Sequence, residues 1–76
     1  MAEHRIVDAR GSFCPGPLME LIAAIKMAQV GDELEVLSTD KGSAAEIPMW
    51  IRKVGHELVS TVETDGVWHV TVRRMK

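Results

Sequence analysis

The stretch Phe13-Cys14-Pro15-Gly16-Pro17-Leu18 holds the chain's one cysteine. A cysteine attacks as its thiolate, and an electropositive, partly exposed setting favours that form. The residue before a proline is pushed towards an extended backbone, so Cys14 should stand at or just before the N-cap of a helix. There its sulfur can meet the helix's unpaired N–H groups and positive dipole end, which favour thiolate. Pro15 and Pro17 carry no N–H, which leaves Gly16, Leu18 and Met19 as donors. Gly16 also lets another molecule approach the backbone closely. The two prolines should stiffen the loop and hold the sulfur outward. Arg10 and Lys41 add positive charge if their loops converge there. The opposing reading makes Cys14 a small buried hydrophobe, as free cysteines often are. The Pro-Gly-Pro context argues for a loop instead.

Most thiol chemistries need a second group beside the sulfur. A hydrolytic enzyme needs a base beside the nucleophile. His4, His56 and His69 are the candidates, and none has an evident orienting partner. The chain is short for a deep substrate pocket. A dithiol redox enzyme needs a second cysteine, which is absent. The three histidines show no metal-ligand spacing, so no metal site is expected. A thiolate that accepts a group, carries it and hands it on needs one exposed sulfur and a docking surface. That chemistry the chain can support. The alternative from another class is a regulatory or interaction module whose Cys14 is structural or redox-sensing. An autonomous thiol enzyme is disfavoured for want of a base and a pocket.

Composition sets the frame. The 76 residues make one small domain, residues 1–76. At this size roughly 60 to 65% of the unfolded surface can be buried, so the core is thin. Apolar residues make up 46% and charged ones 26%, which fits a globular protein rather than a disordered one. A net charge of −2 gives no sign of direct nucleic-acid binding. The apolar runs are too short to span a bilayer. The N-terminus, Met1-Ala2-Glu3-His4-Arg5, lacks the apolar segment of a signal peptide. A single cysteine forms no internal disulfide, so a reducing, cytoplasmic setting is the default.

The elements that must position Cys14 read as follows. Arg5-Ile6-Val7-Asp8-Ala9 is β-prone, giving a strand at about 4–9, and residues 10–14 form a loop. Leu18, Leu21, Ile22, Ile25 and Ala28 fall on one helical face. Pro17 suits the first turn, and Glu20 and Lys26 lie towards the dipole ends that favour them. Gly31-Asp32 stops the helix. Residues 33–38 alternate as a strand. Ser43-Ala44-Ala45-Glu46 fits a capping box that opens a second helix. Ile47, Trp50, Ile51 and Val54 form its apolar stripe, with Pro48 about a turn inside the start and Gly55 just past the end.

Strands at about 57–63 and 67–74 close the chain, with Asp65-Gly66 as the hairpin signal. A two-residue loop would pair Thr64 with Val67 and turn Val62 away from Trp68. A three-residue loop, Thr64-Asp65-Gly66, pairs Val62 with Trp68. It gathers Leu58, Val62, Trp68, Val70 and Val72 on one buried face, so it is the preferred register, with Gly66 left-handed in a bulge. The order β-α-β-α-β-β predicts an α/β (α+β) fold, a two-layer α/β sandwich. Its four-stranded mixed sheet carries two helices on one face.

Asp8-Ala9-Arg10-Gly11 followed by Cys14-Pro15-Gly16-Pro17 reads as a D-x-x-G-x-x-C-P-x-P signature. Gly31-Asp32, Asp40-x-Gly42-Ser43, Ile47-Pro48-x-Trp50 and Gly55-His56-Glu57-Leu58 follow in order. In these features the chain resembles the TusA-like (SirA-like) sulfur carriers over almost its whole length. The resemblance implies the same β-α-β-α-β-β sandwich. It implies that Cys14 receives sulfane sulfur as a persulfide and passes it to a cysteine on a partner, with no other cofactor. Donors in the family include cysteine desulfurases and rhodanese-like proteins. Acceptors include DsrE-type proteins serving tRNA 2-thiolation or dissimilatory sulfur oxidation. A carrier that visits several partners is most simply a monomer. Two features depart from the pattern. Lys41 stands where many members have proline, and the second helix lacks the second cysteine that some carry.

Other residues have plainer readings. Trp50 and Trp68 read as core. Asp8 shapes the loop before Cys14 or closes the strand-end turn. Arg52, Lys53, Arg73, Arg74 and Lys76 read as a solvated basic face, or else as a docking patch for an acidic partner. Met19, Met27 and Met49 can form a soft rim for protein contacts.

Overall fold

The computed structural model describes residues 3–76. Met1 and Ala2, part of the N-terminus read above as lacking a signal peptide, lie outside the described residues. The elements are β1 (His4–Asp8), α1 (Gly16–Met27), β2 (Glu33–Ser38), α2 (Lys41–Val54), β3 (Glu57–Thr64) and β4 (Val67–Arg73). The strands make one mixed sheet in the order β1-β2-β4-β3. β1 and β2 pair in parallel, and β4 lies antiparallel to both its neighbours. β3 therefore runs parallel to β2, with β4 between them. Both helical crossovers step along the sheet in the same direction. Right-handed connections then bring both helices to the same face, as expected from the element order.

The core lies in that single interlayer. Leu34 and Val36 of β2 and Val70 and Val72 of β4 are fully buried beneath Leu21 of α1 and Ile47 and Ile51 of α2. Leu18, Ile25 and Ala28 complete the α1 stripe. Trp50 is half-buried against this cluster. Trp68 is half-buried on β4. Arg74 donates from its guanidinium to the carbonyls of Ile25 and Ala28. It thereby satisfies the C-terminal end of α1, where a cation is favoured. Arg73 bonds Glu33 and Glu57 at 2.6 and 2.8 Å. Two of the five basic residues offered above as a solvated or docking face are thus engaged within the fold.

Three local readings are corrected. The second helix opens earlier than Ser43. Asp40 is its N-cap, with the Asp40 carboxylate accepting from the Ser43 N–H at 3.1 Å. With an Asp cap one turn earlier, Ser43 is itself a first-turn residue whose N–H is capped, so it does not cap the helix. Pro48 is consequently deeper in the helix than the sequence pattern placed it. At the other end, Gly55 takes a left-handed φ of 90°, and the Gly55 and His56 N–H groups return to the Arg52 and Ile51 carbonyls, as expected for a helix stop.

The third correction is the hairpin. Thr64 pairs with Val67 across a two-residue turn in which Asp65 and Gly66 both have positive φ. This is the geometry that matches strand twist. The register conflict is resolved elsewhere, by an irregularity between Leu58 and Ser60 that leaves Val59 unpaired. Leu58 still shares a face with Val70 and Val72, but Val62 pairs with His69 and is exposed. Val62 stays exposed because this end of the edge strand lies outside the covered core. Thr61 and Glu63 share the helix-side face and are exposed as well.

The opposite sheet face is open and carries a charge ladder. His4 Nε2 lies 3.0 Å from Glu35, and His69 Nδ1 lies 2.8 Å from the other oxygen of the same carboxylate. Glu35 and then Glu33 raise the His4 pKa above its ordinary value. A raised histidine stabilises the fold below about pH 6.5, and that contribution is lost as pH rises through the folded value.

Two outcomes follow from this packing. Leu21→Ala should cost about 2–5 kcal/mol in denaturant unfolding, because its side chain is wholly enclosed. A loss under about 1 kcal/mol would show that the interlayer is looser than described. In a proton NMR titration His4 should titrate above pH 6.5, and Glu35→Gln should bring its midpoint down.

Candidate functional site

Cys14 is exposed, and its loop is fastened at several points. Gly11 donates to the Thr39 hydroxyl at 3.0 Å, and Ser12 donates to the Ala9 carbonyl at 3.1 Å. Pro15 is the N-cap residue of α1, and the Cys14–Pro15 peptide is cis. Pro17 is fully buried, so it plugs the loop into the core as well as opening the helix. Gly16 packs so closely that an added Cβ would come 3.3 Å from the Cβ of Ser12. Its small size therefore serves the loop's own packing against Ser12.

The second anchor comes from α2. The Cys14 N–H donates to Asp40 Oδ2 at 2.9 Å. The same oxygen accepts from the Ser43 N–H and, at 2.7 Å, from the Ser43 hydroxyl. The Asp40 N–H donates in turn to the buried Ser38 hydroxyl at 3.1 Å. One carboxylate thus caps α2 and fixes the backbone of the cysteine. Ser43 and Cys14 hold the Asp40 carboxyl below its usual range, the Ser43 hydroxyl most of all. A depressed carboxylate contributes stability above about pH 3.9, and that is lost as pH falls through the folded value. The anchor therefore persists through neutral and mildly acidic conditions.

The sulfur itself faces an acid. Cys14 Sγ donates to Glu46 Oε2 at 2.7 Å. This bond raises the thiol's pKa, helped by partial loss of water and by the charges of Glu46 and Asp40, while Ser43 pulls the other way. The sequence reading had the helix end favouring thiolate. The difference has a local cause. The Gly16 N–H, which that reading assigned to the anion, is taken by the Phe13 carbonyl at 2.7 Å, and the Met19 N–H by the Pro15 carbonyl at 3.0 Å. Two of the three donors thus close the turn, and the Glu46 carboxylate meets the sulfur.

The other proposed site residues make no hydrogen bond to the thiol, whose partner is Glu46. Arg10 grips Asp8 through two guanidinium bonds, at 2.9 and 2.7 Å, and its N–H adds a third at 3.1 Å. Asp8 falls to about 2 in consequence. Asp8 and Arg10 thus shape the strand-end turn, and the guanidinium is spent on Asp8 rather than on the sulfur. Lys41 is the first residue of α2, and the charges that act on the thiol are those of Glu46 and Asp40. Cys14, Pro15, Gly16 and Pro17 do lie together, and Asp40, Ser43 and Glu46 join them. Sequence reasoning missed these three as site residues. Their spacing of three along one helical face, starting from an Asp cap, was the available signal. Phe13, Met19 and Met49 are exposed apolar side chains; the first two flank the thiol in the chain, and Met49 lies one turn beyond Glu46. Among the described residues, no three His, Cys, Asp or Glu side chains converge as a metal ion would require. No helix among them is long and apolar enough to cross a membrane.

With this geometry, comparison with known proteins is informative. The family described as sulfurtransferase TusA matches residues 5–74. This chain belongs to the TusA family. An Archaeoglobus fulgidus protein, named a candidate sulfur carrier protein, is 51% identical over 71 residues, covering 93% of this chain and 97% of its own. The sulfur carrier protein TusA of Pseudomonas putida is 33% identical over 69 residues, covering 91% and 86%. The TusA fold is seen too in a SirA-like protein from Desulfitobacterium hafniense. Its crystal structure superposes with a TM-score of 0.83 at 24% identity over 95% of this chain and 99% of that one.

Replacing Asp40 with Ala should lower the thermal midpoint and speed hydrogen exchange at the Cys14 amide, because both anchors share that carboxylate. Unchanged protection at Cys14 would show that the loop is held without Asp40.

Proposed function

We propose that this chain is a sulfur carrier that holds sulfane sulfur as a persulfide on Cys14 and delivers it to a partner protein. The observation that carries the reading is an exposed thiol at the tip of a loop pinned by Pro17 and Asp40. A pinned backbone limits the entropy lost when a second protein engages the sulfur. The exposed side chains of Phe13, next to Cys14 in the chain, and of Met19 in the first turns of α1 offer apolar contact area. The sulfur-carrier names of the relatives support the same reading.

The transfer is balanced without an external oxidant. The Cys14 sulfur attacks the outer sulfur of a donor persulfide. The donor's S–S bond breaks as the new one forms. The donor cysteine leaves with the electron pair and takes up the proton that Cys14 loses. Delivery repeats the exchange, with the acceptor's cysteine as attacking group and Cys14 as leaving group. On this reading the donor is a cysteine desulfurase or a rhodanese-like protein, and the acceptor a DsrE-type protein. The relay serves tRNA 2-thiolation or sulfur oxidation, in the reducing cytoplasm.

Incubation with a sulfane-sulfur donor followed by intact mass spectrometry tests the reading. One sulfur atom should add, reductant should remove it, and Cys14→Ser should abolish the gain while leaving the unfolding midpoint nearly unchanged. Absence of any gain in a folded protein whose thiol still alkylates would sink the proposal.

A further inference from the structure

We propose that Glu46 governs when Cys14 reacts: it holds the unloaded cysteine as a neutral thiol, and it favours donors that bring a positive charge beside it. The proposal rests on the carrier reading above and adds a residue that decides specificity.

The geometry comes first. Glu46 Oε2 accepts directly from Cys14 Sγ at 2.7 Å, across 32 residues of sequence. The Asp40 carboxylate is bonded to the cysteine's own N–H. Asp40 Oδ2 already accepts from the Cys14 N–H and twice from Ser43, so that oxygen is well supplied with donors. Glu46 is different. Among the described residues the Cys14 thiol is its recorded hydrogen-bond partner, and its side chain is only half-buried. An incoming group can reach it.

The chemistry follows. Two carboxylates beside a sulfur disfavour a second negative charge there. The raised pKa of Cys14 agrees, with Glu46 as its largest cause. At neutral pH the resting carrier is therefore mostly thiol, and thiol attacks disulfide-type bonds poorly. A lysine or arginine approaching Glu46 changes this balance. It pairs with the carboxylate, draws it from the thiol proton and offsets the charge that grows on sulfur. The proton lost by Cys14 goes to the departing donor sulfur, and the exchange is otherwise the one already written. The fitting partner surface thus combines a cationic side chain near its persulfide with apolar contacts for Phe13 and Met19, which are 78% and 58% exposed.

Two measurements on the wild-type chain and on Glu46→Gln decide the matter. The first is the pH profile of alkylation by iodoacetamide. The variant should react faster near neutral pH, about tenfold for each unit by which its thiol midpoint falls. The second is loading from two small donors, cationic cysteamine persulfide and anionic glutathione persulfide, followed by mass spectrometry. The wild-type chain should prefer the cationic donor over the anionic one by at least about fivefold, the worth of one close ion pair in water. That preference should largely vanish in Glu46→Gln. Circular dichroism should show the variant folded. Coincident alkylation profiles, or a donor preference that survives the substitution, would overturn the role given to Glu46 and leave the carrier standing. Failure of both donors to add sulfur to Cys14 would instead remove the carrier reading, and this proposal with it.

Discussion

The Asp40 carboxylate is the constraint on which the site depends. It ends the loop after β2, caps α2 and accepts from the backbone of Cys14. Without it the first loop and the second helix would share no polar contact at the cysteine's backbone. With it, the position of the thiol follows the position of α2, and α2 is set by the core through Ile47 and Ile51. The thin hydrophobic interlayer and the exposed sulfur are therefore coupled through one side chain. Pro17 strengthens the link from the other side, because it is buried in the same fold that begins α1.

The site is built to hold a sulfur steadily rather than to ionise it. The Gly16 and Met19 N–H groups at the start of α1 are taken by the Phe13 and Pro15 carbonyls, which leaves the helix end fewer donors for an anion. Glu46 then supplies an acceptor for the thiol proton. A carrier gains from this arrangement. An ionised, exposed thiolate is the form most open to oxidation and stray exchange. A neutral thiol waits until a partner alters its surroundings.

Much of the fold was legible because it depends on local periodicity. The stripe from Leu18 to Ala28, the alternation of residues 33–38 and the stop at Gly55 each announce themselves within one element. The β-α-β-α-β-β order and the right-handed rule then fix the layer arrangement. The hairpin register was less legible. Both loop lengths fitted the Asp65-Gly66 signal, and the choice depended on burial that the edge strand does not have. The start of α2 was misread because Ser43 and Glu46 match a capping pattern, while the stronger cap, Asp40, stands one turn earlier. That misreading also concealed the site. A Glu46 assigned to its own helix start could not be seen beside a cysteine 32 residues away. The resemblance to sulfur carriers pointed to Cys14 but could not describe its electrostatics, which arise only when α2 packs against the loop.

The resting sulfur is a thiol governed by carboxylates. An NMR titration of the chain labelled with carbon-13 at the Cys14 Cβ tests it without any partner or reagent. The midpoint should lie above the ordinary cysteine value of about 8.5, with the signal of the thiol form dominant at neutral pH. A midpoint below neutrality, with the thiolate form dominant at pH 7, would contradict it.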